Sequence, residues 1–190
     1  MKSQNGQDLW VCETLNYKKN GVFVDIGAYD GMDFSNTYYL EKELGWNGVC
    51  VEADKVAFKS LILNRTCKSM NKAIDKESGF VGFNECGMFG CIDKYSTNII
   101  AAITMRQLME YMPLYIDYIS LDIEGNEANA LSTFPFDIVK VHLWTIEHNL
   151  YKGSDTLKRQ IMDIMLGNGY KIAVENVGGD LPFEDWWIKK

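Results

Sequence analysis

The chain contains 190 residues, of which 19 are lysine or arginine and 26 are aspartate or glutamate, giving a formal charge of −7. This length predicts one domain over residues 1–190 rather than two. The negative charge argues against an electrostatic grip on nucleic acid or on an anionic membrane. The charge therefore favours a small molecule as the partner. No apolar run approaches the roughly 20 residues that a membrane span requires.

The amino terminus and the cysteines bear on where the protein acts. Residues 1–8 are polar and lack the apolar centre and cleavage site of a signal peptide. The five cysteines are scattered without the spacing of a zinc or redox motif, so free thiols are expected. Cys86 and Cys91 flank a glycine-rich turn and could form a bridge, but reduced thiols fit an intracellular protein better. These features predict a cytoplasmic protein, and they leave its oligomeric state open.

Segments of strand length alternate with segments of helical period in the first half of the chain. In chain order, the pattern predicts a helix over about 4–18 with its centre at 8–17, a strand over 22–26, a helix from 35 or 36 to 44, a strand over 49–52, a helix over 55–64 and a strand over 68–74. A glycine- and aromatic-rich excursion follows over about 77–95, and its glycine spacing suggests a hairpin.

The second half continues this alternation and then departs from it. Thr104 and Gln107 have the spacing of a capping box. The remaining predicted elements are a helix from 104 that ends before 113, a strand over 115–121, a helix over 126–134, a strand over 139–146, a helix over 155–166 and strands over 171–175 and 186–189. The alternation predicts a mostly parallel sheet with helices on both faces. Two successive strands at the end predict an antiparallel pair, which ordinary dinucleotide folds usually lack.

The first buried strand leads directly into a D-x-G-x-x-x-G motif formed by Asp25, Gly27 and Gly31. Glycines in this place let the backbone approach a ligand at the carboxyl edge of a parallel sheet. The spacing differs from the G-x-G-x-x-G loop that cradles a pyrophosphate, so a nucleoside with an amino-acid tail fits better. Taken alone, the motif also suits a glycine-rich turn in which Asp25 merely caps the next loop.

A carboxylate at the end of the second strand adds to this prediction. Glu52 lies 21 positions after Gly31 and follows an apolar strand, where an acid accepts hydrogen bonds from two ribose hydroxyls. The alternative is a solvated carboxylate at a strand end, and Asp54 could share the role. Ala73 and Ile74, at the end of the third strand, are expected to border an adenine ring.

Three carboxylates lie at or just beyond the end of the fourth strand. Asp122 and Glu124 are predicted at the rim of the cleft, where they would hold a cationic cofactor or take a proton from an acceptor hydroxyl. Glu127 is expected to cap the next helix, because acids are favourable at a helix N-terminus. The alternative, that all three acids serve only this helix, accounts for Glu127 well and for Asp122 poorly.

Glu147 and His148 follow the fifth strand and are expected to enter the same cleft from the adjacent loop. With Asp122 and Glu124 they form the predicted catalytic set, although a histidine after a strand is more often a hydrogen-bonded loop residue than a base. These four side chains would also suit a divalent metal chemically. Their spacing does not establish that they converge, so no metal is predicted.

Together, these segments resemble the FkbM family of S-adenosylmethionine-dependent methyltransferases. The similar segments are residues 25–31, 52–53 and 121–125, together with 3–8, 35–37 and 45–48. The resemblance implies a Rossmann-like three-layer α/β fold with a mostly parallel seven-stranded sheet and an antiparallel C-terminal strand. It also implies S-adenosyl-L-methionine as cofactor and O-methylation of a sugar or another hydroxylated small molecule. The predicted cofactor contacts are Asp25, Gly27, Ala28, Gly31, Asn36, Glu52, Ala53, Ala73, Ile74 and Asp122.

Two other functions remain open on sequence grounds. A nicotinamide-dependent oxidoreductase would share the strand, the loop and the acidic residue, but the missing G-x-G-x-x-G and the paired final strands oppose it. The other alternative is a domain that keeps the cofactor pocket and serves only in binding, because a fold does not guarantee chemistry.

Overall fold

Eleven strands and six α-helices are present in the computed structural model, which describes residues 1–190. The strands are β1 (Val22–Ile26), β2 (Asn47–Val51), β3 (Lys68–Met70), β4 (Ala73–Ile74), β5 (Gly79–Asn84), β6 (Cys91–Ile92), β7 (Ile99–Ile103), β8 (Tyr115–Leu121), β9 (Lys140–Glu147), β10 (Tyr170–Val177) and β11 (Glu184–Lys189). The helices are α1 (Gln7–Thr14), α2 (Tyr38–Leu44), α3 (Lys55–Asn64), α4 (Met105–Met109), α5 (Glu127–Ser132) and α6 (Thr156–Gly167). None of these helices is both long and apolar enough to cross a membrane.

Seven strands form the main sheet, in the order β10-β11-β9-β8-β1-β2-β3. The pairs from β9 to β3 are parallel, whereas β11 lies antiparallel between β9 and β10. This is the predicted Rossmann-like sheet with an antiparallel C-terminal pair, so that prediction is confirmed. In a parallel sheet all carboxyl ends meet at one edge, and this edge is where ligands bind in such folds.

Alternating side chains of each central strand enter two cores, because successive residues of a strand point to opposite faces. Phe23 packs in the core under α1, α2 and α3, while its neighbour Val24 packs in the core under α4, α5 and α6. Tyr118 and Ile119 divide in the same way on β8. Three layers result, with the sheet in the middle and helices on both faces, as the alternating pattern predicts.

The prediction of one strand over 68–74 is wrong, because the chain leaves the main sheet after Met70. The Asn71 side chain donates hydrogen bonds to the backbone oxygens of Glu52 and Ala53 at 2.8 and 3.1 Å. These bonds turn the chain outward, and Ala73 then begins a strand of a second sheet. That sheet has the order β4-β7-β5-β6 and contains the predicted hairpin of the 77–95 excursion. Strand β7 has no counterpart among the predicted elements.

Local hydrogen bonds explain where several helices begin and end. The capping box is present, with the Thr104 hydroxyl accepting from the Gln107 amide at 3.2 Å and the Gln107 side chain accepting from the Thr104 amide at 3.1 Å. Helix α2 begins later than predicted, because the Ser35 hydroxyl accepts from the amide of Tyr38. Helix α1 ends earlier than predicted, before Tyr17, whose φ of 52° is left-handed.

Candidate functional site

A cavity of about 450 Å³ lies at the carboxyl ends of β1, β2, β8 and β9, with the hairpin of β5 and β6 along one side. Most of the side chains predicted to bind a cofactor or to act in catalysis line this cavity. They are Asp25, Gly27, Ala28, Asn36, Glu52, Ala53, Ala73, Ile74, Asp122, Glu124 and Glu147. Gly31 and His148 do not line it.

The turn after β1 requires glycine at its first position. Gly27 has a φ of +83°, and its amide and that of Ala28 both donate to the backbone oxygen of Val51. A Cβ atom on Gly27 would lie 1.6 Å from the backbone oxygen of Asp122. The turn therefore packs against the end of β8, and no side chain fits between them.

Asp25 lies at the cavity wall but is held from behind by a buried polar network. The Thr37 hydroxyl donates to its carboxylate, and the Arg65 guanidinium lies 3.9 Å away. Arg65 also donates to the Glu41 carboxylate at 2.6 Å and to the Thr37 hydroxyl at 3.0 Å. Burial raises the pKa of Asp25, and Arg65 and Thr37 oppose that rise. Burial also opposes ionisation of Glu41, but hydrogen bonds from Thr66 and the Arg65 charge lower its pKa to about 2.

Gly31 belongs to this network rather than to the cavity surface. A Cβ atom there would lie 2.5 Å from Leu61 and 2.7 Å from Arg65, and the Gly31 backbone oxygen accepts from Arg65 at 3.3 Å. The second glycine of the motif therefore lets the loop lie on the Arg65 side chain. Arg65 was not predicted from the sequence, because nothing in its neighbourhood along the chain indicates partners.

Glu52 projects from the end of β2 and holds the turn after β1. Its carboxylate accepts from the amide of Tyr29 at 2.7 Å and from the amide of Asp54 at 2.6 Å. Burial raises its pKa to about 7, even though these hydrogen bonds favour the ionised form. Asp54 caps α3 instead, accepting from the amides of Val56 and Ala57. The carboxylate of Glu52 is therefore the acid exposed to the cavity at this strand end.

The cavity wall next to this strand end is partly apolar. Ala53, Ala73 and Ile74 line it, and the Asn126 side chain donates to the backbone oxygen of Ile74 at 2.9 Å. Asn126 thereby ties the turn after β8 to β4. An apolar slot bounded by backbone is the surface that a flat heteroaromatic ring requires.

Three carboxylates converge at the ends of β8 and β9. Oxygen atoms of Asp122, Glu124 and Glu147 all lie within 4.8 Å of one another. Burial raises the pKa of Asp122 to about 6, and burial together with the neighbouring charge of Asp122 raises the pKa of Glu147 well above its usual range. Such a pair shares one proton at neutral pH. Carboxylates this close are also within reach of a metal ion, but a cationic cofactor would satisfy the same charge.

Neighbouring groups set the shape of this cluster. Glu127 accepts from the amides of Ile123 and Gly125 at 2.9 and 3.1 Å and so fixes the turn that carries Glu124. The Lys152 ammonium pairs with Glu124 at 2.8 Å, and the Asn149 side chain donates to Glu147 at 2.6 Å. Neither Lys152 nor Asn149 was predicted, because both lie in the irregular segment after β9.

His148 lies next to Glu147 in the chain but points away from the cavity. It is 1% exposed, its Nε2 lies 3.3 Å from the Asp185 carboxylate, and its Nδ1 accepts from the amide of Leu150 at 3.2 Å. Successive side chains of a strand end alternate in direction, so a cavity position for Glu147 directs His148 elsewhere. In this position His148 holds the segment after β9 and contacts no part of the cavity.

Comparisons with known proteins agree with this arrangement. The profile described as the methyltransferase FkbM domain matches residues 25–172. A search of the curated protein sequences returns no match. Among solved structures, the chain is similar to the precorrin-6y C5,15-methyltransferase of Geobacter metallireducens, with 11% identity and a TM-score of 0.56 over 96% of this chain and 86% of that one.

Two further structures are similar to the same degree. One is the magnesium protoporphyrin IX methyltransferase of Synechocystis with bound S-adenosylmethionine, at 10% identity and a TM-score of 0.55 over 96% of this chain and 76% of that one. The other is the ribosomal protein L11 methylase of Lactobacillus delbrueckii subsp. bulgaricus, at 9% identity and a TM-score of 0.54 over 97% and 77%. At these identities the structures establish the fold alone. The family match spans most of the chain, from Asp25 to Ile172, and the protein therefore belongs to the FkbM family of S-adenosylmethionine-dependent methyltransferases.

Proposed function

We propose that the protein methylates a hydroxyl oxygen of a small molecule, using the carboxyl pair of Asp122 and Glu147 to accept the hydroxyl proton. The observation that carries this proposal is the convergence of the two side chains in one cavity with the glycine turn and Glu52. The proposed acceptors include saccharides and other hydroxylated small molecules. The formal charge of −7 and the carboxylates at the cavity floor favour a small acceptor over nucleic acid.

The residues of the cavity fit S-adenosylmethionine. The Asn36 side chain donates to Ser120 at 2.9 Å, while its own oxygen is buried without a partner and suits an ammonium donor. Glu52 suits the two ribose hydroxyls, and the slot at Ala73 suits the adenine ring. When bound, S-adenosylmethionine supplies a methyl group already activated on a sulfonium. Its positively charged sulfonium and ammonium groups also suit a cavity lined by several carboxylates.

The protein then has three tasks in the transfer. The glycine turn and Glu52 orient the cofactor, and the walls of the cavity exclude water. Bound S-adenosylmethionine would supply the methyl group to the acceptor oxygen, and the carboxyl pair would take the hydroxyl proton. Asp122, with a pKa of about 6, is ionised at neutral pH, while Glu147, whose pKa is raised well above its usual range, keeps its proton.

Substitution of Asp122, the ionised member of the pair, tests the proton-accepting role. Asp122→Asn is expected to lower kcat by about 100-fold or more, because general base catalysis contributes roughly that much. The Kd of S-adenosylhomocysteine, measured by calorimetry, is expected to stay within about threefold of the wild-type value, since asparagine keeps the size of the side chain and an oxygen that accepts hydrogen bonds. Glu110→Gln, at an exposed position just after α4 that does not line the cavity, is the matched control.

The assay measures transfer of a labelled methyl group to a panel of phenols, alicyclic alcohols, saccharides and transfer RNA. Full turnover of Asp122→Asn on any accepted compound would exclude the carboxyl pair as the base. Transfer to RNA alone would overturn the small-molecule proposal.

We also propose that the protein acts in the cytoplasm. All five cysteines are free, including Cys50 and Cys67, whose sulfur atoms lie only 3.5 Å apart. Thiols this close stay reduced where the compartment is reducing. Fractionation of source cells followed by immunoblotting tests the location.

A further inference from the structure

Large apolar side chains form part of the cavity wall, which we call the acceptor mouth and define as Phe34, Tyr151, Leu181 and Phe183. The carboxyl pair lines the same cavity. Phe34 is 53% exposed and Leu181 is 64% exposed, so each presents most of its apolar surface to solvent. Large apolar side chains gathered at one opening mark a binding surface more often than they occur by chance.

The backbone holds the acceptor mouth beside Glu147. The backbone oxygen of Phe183 accepts from the amides of His148 and Asn149 at 2.6 and 3.1 Å, and the amide of Tyr151 donates to the oxygen of Pro182 at 3.0 Å. The segment after β9 and the turn before β11 are therefore joined directly behind the carboxyl pair. A molecule that places its hydroxyl at Glu147 must contact the side chains of these two segments.

Phe34 reaches the same cavity from a different part of the chain. Its φ of 57° is left-handed, and the chain at Phe34 pairs with Ser3 of the amino-terminal segment. Gln4 and Gln7 of that segment also line the cavity. The mouth thus gathers apolar side chains from separate segments, and such a surface suits a flat or ring-shaped skeleton.

Gln7, one of the two glutamines that line the cavity, is not free to bind a polyhydroxylated acceptor. Gln7 is occupied at both ends, because its nitrogen donates to Glu184 at 3.0 Å and its oxygen accepts from the amide of Asn5 at 2.9 Å. A sugar needs several hydrogen-bonding partners to replace its water, and a buried hydroxyl without a partner costs about 1–3 kcal/mol. The apolar side chains of the acceptor mouth provide no hydrogen bonds that would offset this cost.

The charges at the mouth disfavour anionic acceptors. Asp33 and Glu124 line the cavity in addition to the carboxyl pair, and Lys72 is the lysine that lines it. Lys152, beside Glu124, is already paired with it at 2.8 Å. A phosphate or carboxylate on the acceptor would therefore face a surplus of negative charge.

We propose that the methyl acceptor is an uncharged molecule whose hydroxyl is carried by an apolar ring skeleton, held against Phe34, Tyr151, Leu181 and Phe183. This inference rests on the proposed function and narrows its acceptor to phenols and alicyclic alcohols. Free saccharides and phosphorylated compounds are excluded by it.

The test uses 2-naphthol, 2-naphthyl phosphate and 2-naphthyl glucoside, which share one fluorescent ring system and differ in charge and hydroxylation. Binding to protein saturated with S-adenosylhomocysteine is followed by fluorescence. We expect 2-naphthol to bind at least about tenfold more tightly than either derivative. The double variant Phe34→Ser, Leu181→Ser is expected to weaken that binding by about tenfold, because both side chains lose apolar contact with the ring.

Leu63→Ser is the matched control, since Leu63 is 84% exposed on α3 and does not line the cavity. It is expected to leave 2-naphthol binding unchanged. The proposal is overturned if the phosphate or the glucoside binds as tightly as 2-naphthol, if 2-naphthol does not bind, or if the double variant binds it like the wild type. If the wild type binds S-adenosylhomocysteine, these outcomes reject only the proposed acceptor class. If the wild type does not bind S-adenosylhomocysteine, the proposed function itself is rejected.

Discussion

On the side of β1 and β2, the cavity is walled by buried polar groups that hydrogen-bond to one another, whereas at the acceptor mouth it is walled by exposed apolar side chains. Glu52 and Asp25 are 7% and 4% exposed, and each has two polar partners or more. Leu181 and Phe34 are held only through their backbones. Under the proposed function the polar side is the cofactor side, where buried hydrogen-bonding groups of fixed position bind one ligand. The acceptor side fixes the position of its walls and leaves the contact itself to apolar surface.

The largest effect is expected from removing the charge at the centre of the polar side. Arg65→Met leaves the carboxylates of Glu41 and Asp25 buried without their cation. Breaking a buried ion pair in this way costs about 3–5 kcal/mol, and we expect the free energy of unfolding in urea to fall by that amount. Arg106→Met, at an exposed position on α4, is the control and should change stability by less than about 0.5 kcal/mol. Equal stability of both variants would mean that the network does not hold the cofactor side together.

The next effect concerns the turn that joins the cofactor side to β8. Gly27→Ala adds a methyl group 1.6 Å from the backbone oxygen of Asp122 and forces a left-handed φ on alanine. We expect S-adenosylhomocysteine to bind at least about 100-fold more weakly, equivalent to about 2.7 kcal/mol, as measured by calorimetry. Gly167→Ala has open space around its Cβ and serves as the control. Unchanged affinity in Gly27→Ala would show that the turn does not contact the cofactor.

These two residues also show what the sequence reveals and what it conceals. Gly27 and Glu52 were predicted because a strand, a glycine turn and an acid at the next strand end are local patterns with a physical cause. Arg65 was missed because its partners Glu41 and Thr37 lie 24 and 28 positions away, so only the folded chain brings them together. A tertiary contact between charges leaves no periodic pattern for sequence reasoning to detect.

The second sheet and the region after β9 were less predictable for related reasons. Strand β7 is stabilised by its neighbours β4 and β5 rather than by alternation with polar residues. Glu147 was predicted in the cavity because it ends a strand of the parallel sheet. His148 was predicted there as well because it is the next residue, but successive side chains of a strand point to opposite sides. The fold and its seven-stranded sheet followed from the sequence, while a single domain over residues 1–190 stays a prediction.

A smaller and pH-dependent effect is expected at Glu52. Its pKa of about 7 means that the carboxylate is ionised above pH 7 and protonated below it. Only the ionised group accepts hydrogen bonds from both ribose hydroxyls with full strength, so the Kd of S-adenosylhomocysteine should rise as pH falls from 8 to 6. The limit for one proton is about tenfold per pH unit.

Glu52→Gln removes both the charge and its titration. We expect binding about 10- to 100-fold weaker at pH 8, because hydrogen bonds to a charged group contribute roughly 1.5–3 kcal/mol. The pH profile of this variant between 6 and 8 should be flat, whereas Glu43→Gln, at an exposed position on α2, should keep the wild-type slope. A slope that persists in Glu52→Gln would assign the titration to another group.

The smallest effect is expected at His148, in the segment after β9 that carries part of the acceptor mouth. Its imidazole accepts from the amide of Leu150 and approaches Asp185, and so it holds the segment that carries Tyr151. His148→Gln keeps a polar side chain of similar length but loses the ring, so the acceptor mouth should shift slightly. We expect KM for the acceptor to rise about three- to tenfold with kcat within about twofold, because misplaced walls weaken binding without removing the base. His142→Gln, at an exposed position on β9, is the control. A fall in kcat of about 100-fold with a changed pH profile would instead make His148 the base, and the cavity would then have to rearrange around it on binding the acceptor.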